Sequence, residues 1–552
     1  MDGQATSSLI HDVNAVLKLP EDKDIDMLVQ SNMPPTNSAQ RRALTEMITE
    51  RESVIQRLDS AANGGQDPRG LYRYASLFLS AQVQSFKSIL SPVREVPVEI
   101  LAQIFEMVIF AFYHPSRRQV LSLTQVCSRW RNICHSTSRL WKVYRWDVSE
   151  CAPGKDFDLA LDAELTSAWF QHAAPHPVQV RLYAHNCPAS SSIPLMSIIP
   201  HAIGIAVLDL TVSDAAFPSI PEHLLATLSF PILRKLEVVM RYDGEPIPRE
   251  DIDPIFPFLS RLHAPQLTDV YLDLQDTLPD LQRYGHQLRR LTLSLKSYAH
   301  SDLVAPATGN VLAVLQYCTQ LENLDVILSC RGLEHFSGSI RLERLKYLSV
   351  DLAEDGFEID YMHLFSVLIL PGLEGLDVVF PTDHVWDWSG WMSFKHRSGL
   401  RRLRRISFSR VEYASADRLW AFLLGIDSIE ELHLGEYGDG LEFLHHFLTF
   451  DPLRPFLPNL HSLDIMAWVD QADRTPQLDE LIERIVRSRW WSGTATKPYR
   501  RWTDVCIVRD TCGGFLDLEA DDDGELLSPQ ARERMKGIAA EGLSLDFESR
   551  NF

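Results

Sequence analysis

The amino-acid sequence predicts an α/β protein in two parts, a helical N-terminal region followed by a solenoid of repeats with a parallel sheet on its concave face. Three observations predict it. Apolar residues recur at helical spacing between about residues 40 and 141. Beyond residue 147 the pattern changes to short segments of the form Leu-x-x-Leu-x-Leu, returning every 21–34 residues. The stretches between those segments carry helical stripes of their own.

Bulk composition bounds the function. The chain has 552 residues, 45% hydrophobic and 23% charged, which is enough apolar material for a large core and unlike a disordered chain. Lys and Arg total 53 against 74 Asp and Glu, a net charge of −21. A surface that negative repels phosphate backbones and anionic lipid, so neither nucleic acid nor membrane is an expected partner, whereas a basic protein segment is. The N-terminus lacks the cationic start and apolar stretch of a secretory signal. The longest apolar runs, such as Met107–Tyr113, are far short of the roughly 20 residues that span a bilayer. The 8 cysteines include no Cys-x-x-Cys pair. Reduced thiols and a cytoplasmic or nuclear location are expected.

Residues 1–39 are weakly patterned, broken by Pro34-Pro35, and expected to be a flexible segment. Residues 40–90 predict a helical hairpin. Leu44, Ile48, Ile55 and Leu58 form one stripe, interrupted by Arg51. The turn Ala61–Gly70 holds paired glycines and a proline, and Leu71, Tyr74, Phe78, Phe86 and Ile89 form a second stripe.

Residues 91–147 predict three short helices. Pro97 suits the start of a helix, where a missing N–H costs nothing, and Glu99 complements the positive end of its dipole. Ile100, Leu101, Ile104, Phe105 and Val108 are expected on one helical face. After the break at His114-Pro115-Ser116 a short helix carries Val120, Leu121 and Leu123. A third places Val126, Trp130, Ile133 and Cys134 at helical spacing, and Leu140-Trp141 closes the unit. So small a cluster cannot bury this many large apolar groups alone, and needs a partner or a neighbouring domain.

These residues carry a resemblance. Val96-Pro97-x-Glu99-Ile100-Leu101-x-x-Ile104-Phe105, then Leu123-x-x-Val126-Cys127-x-x-Trp130-Arg131-x-Ile133, then Leu140-Trp141, resembles the F-box motif. Val96 departs from it, standing where the family usually has Leu, and the segment between the first two helices is lengthened. With the preceding hairpin, the likeness extends to F-box proteins of mushroom-forming fungi. The resemblance implies docking on the Skp adaptor of a cullin-scaffolded ubiquitin ligase, with Pro97, Ile100, Ile104, Val126, Trp130 and Trp141 forming the docking surface or its immediate support.

The remainder, residues 148–552, reads as leucine-rich repeats with an irregular C-terminal cap. Ten segments begin at Ile205, Leu233, Leu267, Leu288, Leu321, Leu345, Leu373, Leu403, Ile429 and Leu460. One strand–helix unit cannot cover its own apolar face, and stacked units share a continuous core. Val178–Tyr183 is expected as an earlier strand, and Phe515–Leu518 and Leu543–Phe547 as capping strands. In each repeat the central x faces the concave side. It is Asp209, Glu237, Tyr271, Thr292, Asp325, Ser349, Asp377, Ser407, His433 and Asp464, five acidic of ten against 74 of 552 overall. Asp209, Glu237, Tyr271, Asp325, Asp377 and Asp464 are therefore candidates to hold a basic segment of a client protein.

No catalytic, metal or cofactor motif emerges. Phosphate loop, zinc-protease motif and nucleophile elbow are absent from the sequence. Asp521–Gly524 has the look of a calcium loop, but Gln530 stands where the bidentate Glu is required. Trp386, Trp388 and Trp391, and likewise Trp490-Trp491, are expected to pack, and His445-His446 to point apart. The expectation is a recruiting subunit without a catalytic site; the alternative is a repeat scaffold with no ligase role.

Overall fold

The computed structural model describes residues 34–64, 70–111, 116–147, 159–184, 193–213, 228–241, 261–275, 281–296, 309–328, 338–352, 361–380, 387–411, 414–437, 440–448, 456–468, 476–489, 502–510, 529–540, 543–546 and 549–550, with a few isolated positions. The chain divides into two compact units, residues 1–146 with 157–180, and residues 147–156 with 181–552.

In the first unit, α1 (Ser38–Asn63) is started by Asn37, whose side chain accepts from the Gln40 N–H at 2.8 Å. It ends at Gly64. Asp67 accepts from the Tyr72 N–H at 2.8 Å and starts α2 (Leu71–Ile89). The two helices pack through Leu44, Ile48, Val54 and Leu58 against Tyr72, Leu79, Val83 and Ile89. Two expectations are corrected here. Arg51 does not interrupt the buried stripe but belongs to it. Its Nε donates to Gln82 Oε1 at 3.1 Å, and its guanidinium lies 4.9 Å from the Phe86 ring centroid. The stripe assigned to α2 is displaced: Leu71, Tyr74 and Phe78 are exposed, and the buried face runs through Tyr72, Ser76, Leu79 and Val83. Ser76 is accommodated there because its hydroxyl donates to Asp59 at 2.7 Å.

Three helices follow: α3 (Val98–Phe110), α4 (Arg117–Val126) and α5 (Ser128–Ser136). Pro97 stands at the N-cap of α3. The single apolar face expected there is divided: Leu101 and Phe105, with Ile109, are buried, whereas Ile100, Ile104 and Val108 are exposed, because the inner stripe of so short a helix is narrow. Ser116 and Gln119 form a reciprocal capping box on α4. Cys127 caps α5, its sulfur accepting from the Trp130 N–H at 3.5 Å. Arg129 ties α5 to the segment entering α3, donating to Arg94 O at 2.7 Å and Val96 O at 2.5 Å. A 3-10 turn (Ser138–Trp141) leads into β1 (Val143–Asp147).

The unit then takes in α6 (Leu159–Ala173), past the boundary at residue 147 that the sequence suggests. Trp169 Nε1 donates to Trp141 O at 2.6 Å, and the hydroxyls of Tyr144 and Thr166 lie 2.9 Å apart. No motif announces α6; its place follows from large aromatic rings that need cover. The start of β2 (Val178–Ala184) is also counted with this unit.

The second unit is built on a parallel sheet whose strands lie side by side in chain order. They are β3 (Ile205–Ser213), β4 (Lys235–Arg241), β5 (Asp269–Gln275), β6 (Arg290–Lys296), β7 (Asn323–Leu328), β8 (Tyr347–Leu352), β9 (Gly375–Val379), β10 (Arg405–Ser409), β11 (Glu431–Tyr437), β12 (Ser462–Trp468), β13 (Asp504–Asp510) and β14 (Ser544–Asp546). Alternation sends one face inward. Leu208, Leu236, Val270, Leu291, Leu324, Leu348, Leu376, Ile406, Leu432 and Leu463 form one buried row across the sheet.

Helices between the strands cover that face, among them α7 (Gly309–Leu315), α8 (Tyr361–Val367), α9 (Trp388–Ser398), α10 (Ala416–Leu423), α11 (Gly440–His445), α12 (Pro476–Arg489) and α13 (Pro529–Ala540). Trp391 is fully buried, 4.4 Å from the Phe365 ring and 5.5 Å from Phe408, so it packs as expected. Close approach of successive turns explains Gly372, where a Cβ would meet Glu343 O at 2.5 Å. His446 stacks on Trp420 and lies 3.3 Å from Asp417. Of the expected capping strands, 544–546 is present. Phe515–Leu518, Trp386, Trp490-Trp491 and Asp521–Gly524 lie outside the described residues.

Candidate functional site

Two faces gather the candidate residues, one in each unit. On the helical unit the outer side of α3 is apolar. Ile100, Ile104, Met107 and Val108 fall on one helical face and are all exposed, Met107 to 72%. Val98 and Phe110 at the two ends of α3, Val93 before it and Val126 at the end of α4 are exposed as well. Pro97 is also at the surface. Trp130 is half-buried, its ring centroid 4.7 Å from that of the buried Phe105.

Trp141 does not belong on that surface. It is 3% exposed, Nε1 donates to Cys134 O at 2.8 Å, and Trp169 packs edge-on against it. Its role is to hold α5 and α6 together. Val93, Val98, Met107 and Phe110 were not singled out from the sequence. The available signal was that α3 is apolar on more than the single face a small core can bury.

On the sheet, strand register brings all ten predicted positions into one row. Asp209 pairs with Glu237, Glu237 with Tyr271, and the row continues through Thr292, Asp325, Ser349, Asp377, Ser407, His433 and Asp464. The six candidates differ in what surrounds them. Asp209 is buried, 3.4 Å from the Tyr183 hydroxyl, and burial pushes its carboxyl up to about 6, with Glu237 adding to the rise. Glu237 accepts from Lys235 at 2.9 Å. Asp464 lies 2.8 Å from His433 Nδ1, and this hydrogen bond raises the imidazole pKa. Tyr271 is half-buried between Glu237 and Thr292.

Asp325 and Asp377 remain as the carboxylates presented at the centre of the row. Burial raises the Asp325 pKa; the Ser349 hydroxyl, donating to it, opposes that rise, and Asp377 and Asp351 add to it. Both line a shallow depression of about 340 Å³ with Arg290, Thr292, Asn323, Tyr347, Arg405 and Ser407.

Against known families, residues 93–144 match the F-box-like family model. This segment is an F-box-like domain. The F-box-like segment thus spans α3, α4, α5 and the closing 3-10 turn, and carries the exposed apolar face. No curated protein matches the chain. Among the described residues, no helix is long and apolar enough to cross a membrane, and no cluster of His, Cys, Asp or Glu is arranged to hold a metal ion.

Proposed function

We propose that this protein is the substrate-recognition subunit of a Skp–cullin–F-box ubiquitin ligase. One observation carries the reading: the segment that matches the F-box-like family displays Ile100, Ile104, Met107 and Val108 to solvent on one helical face. F-box domains typically bind the Skp adaptor, and an apolar stripe of this kind gains from being covered, at roughly 25 cal/mol per Å² of area removed from water. Pro97, Val126 and the half-buried Trp130 extend the contact, while Trp141 supports it from within.

In this reading the parallel sheet is a leucine-rich-repeat solenoid. Strands in chain order, buried rows of Leu and Val, and strand starts recurring every 21–34 residues support it. Its row through Asp325 and Asp377 holds the client on the concave side. The adaptor and cullin bring the client to the charged conjugating enzyme, and rate is gained by effective concentration without chemistry from this chain. The protein acts in the cytoplasm or nucleus.

Co-expression with the Skp adaptor tests this. The expected result is a stoichiometric complex on size exclusion that Ile104→Asp weakens at least hundredfold, because it buries an unpaired carboxylate. A well-behaved chain that ignores the adaptor would instead make the protein a repeat scaffold outside any ligase.

A further inference from the structure

The rim of the exposed sheet face, two residues before the candidate row, is a ladder of paired charges. Lys235, Asp269 and Arg290 sit in register on β4, β5 and β6. Arg405 and Glu431 do so on β10 and β11. Each rim cation has a carboxylate: Lys235 pairs with Glu237, Arg290 with Asp269, and Arg405 with Glu431. The ladder lapses on the three strands between. There the rim residues are Asn323, Tyr347 and Gly375, and the next row holds Asp325, Ser349 and Asp377.

The lapse coincides with the depression, and its geometry depends on a glycine. A Cβ on Gly375 would come within 2.7 Å of Tyr347 Cδ1, so the missing side chain is what lets the Tyr347 ring lie over the neighbouring strand. Tyr347 remains 46% exposed, and its ring forms an aromatic wall. Asp325 and Asp377 flank Ser349 two strands apart, so their Cα atoms are about 10 Å from each other. A group seated above Ser349 would reach both carboxylates and the ring.

From this lapse in the ladder we infer that the depression at Tyr347 receives an arginine side chain of the client segment. Arg290 and Arg405 also line the depression, but each is paired with a carboxylate outside it, Asp269 and Glu431, so the charge left over inside is that of Asp325 and Asp377, the latter within electrostatic reach of Arg405. A planar guanidinium suits a ring on one side and a carboxylate at each end. A lysine ammonium would meet the carboxylates as a point charge, with less contact to the ring. The inference rests on the proposed client-recruiting role and gives it a chemical class.

The test uses the full chain and the capped peptide Gly-Ser-Gly-Arg-Gly-Ser-Gly, otherwise uncharged, with versions in which citrulline, lysine or glutamate replaces the arginine. Titration by thermophoresis should give the arginine peptide a Kd at least tenfold below the citrulline and glutamate peptides, with lysine between. Tyr347→Ala, and separately Asp325→Asn with Asp377→Asn, should each weaken arginine binding at least fivefold. Asp504→Asn, an exposed acid on β13 four strands beyond β9, should leave it unchanged. Thermal melts establish that the variants are folded.

Equal or no binding of the arginine and citrulline peptides would overturn the inference. So would arginine binding that survives both substitutions, or a preference for glutamate. Adaptor co-elution is scored on the same samples, so failure of the peptide result is told apart from failure of the ligase reading.

Discussion

The two exposed faces of this molecule are built on opposite chemistry. The outer side of α3 shows Ile100, Ile104, Met107 and Val108, whereas the outer side of the sheet shows acids, hydroxyls and paired cations. An apolar stripe gains by being covered continuously and suits a lasting assembly. A hydrated charged face gives up its water at a cost and suits a selective partner that comes and goes. The difference teaches that partners of the two faces, which on the proposed reading are the adaptor and the client, would be held by different forces and could be tuned separately.

The sharpest way to break that comparison lies within α3 itself. Phe105 is buried and touches Trp130, while Met107, two residues on, is exposed. Phe105→Ala should destabilise the helical unit by about 3–5 kcal/mol. Met107→Ala should change stability by under about 0.5 kcal/mol while weakening adaptor binding. Urea denaturation with tryptophan fluorescence separates the two; equal losses of stability would mean the outer stripe is core.

Arg51 asks whether charge inside the helical unit behaves like charge on the sheet. Arg51→Ala should cost about 1–2 kcal/mol through the lost Gln82 bond and the lost stem packing. Arg51→Met, which keeps the stem over Phe86, should cost less. The same denaturation experiment reads both.

A smaller effect belongs to Asp209 at the start of the sheet row. Its carboxyl titrates near 6 in the folded chain against an ordinary 3.8, because burial disfavours the charge. Between those values the folded chain holds a proton that the unfolded chain lacks, so this group adds stability as pH falls from about 6 toward 3.8. At pH 7 Asp209→Asn should therefore stabilise by about 1 kcal/mol, and the gain should vanish near pH 4. Thermal melts at the two pH values check it.

Much of this was legible in residue order. The F-box-like segment could be read because its breaks, caps and aromatic spacings are local. The candidate row could be read because strand alternation has a period of two, which register then aligned from Asp209 to Asp464. What escaped depends on partners distant in sequence. Ion pairing of Glu237 by Lys235 is local, but the meeting of His433 with Asp464 is set by pairing of strands 31 residues apart. The depression at Tyr347 hinges on Gly375, which sequence offers only as one more small residue. The buried face of α2 was misplaced because apolar residues occupy both of its sides, Leu71, Tyr74 and Phe78 without, Tyr72, Leu79 and Val83 within.

Amide hydrogen exchange of the full chain with and without the Skp adaptor tests the central claim most directly. The account predicts new protection in the segment 93–110 and around Val126, with the strands from β3 to β14 unchanged. Protection confined to the sheet, or no change across α3, would contradict it.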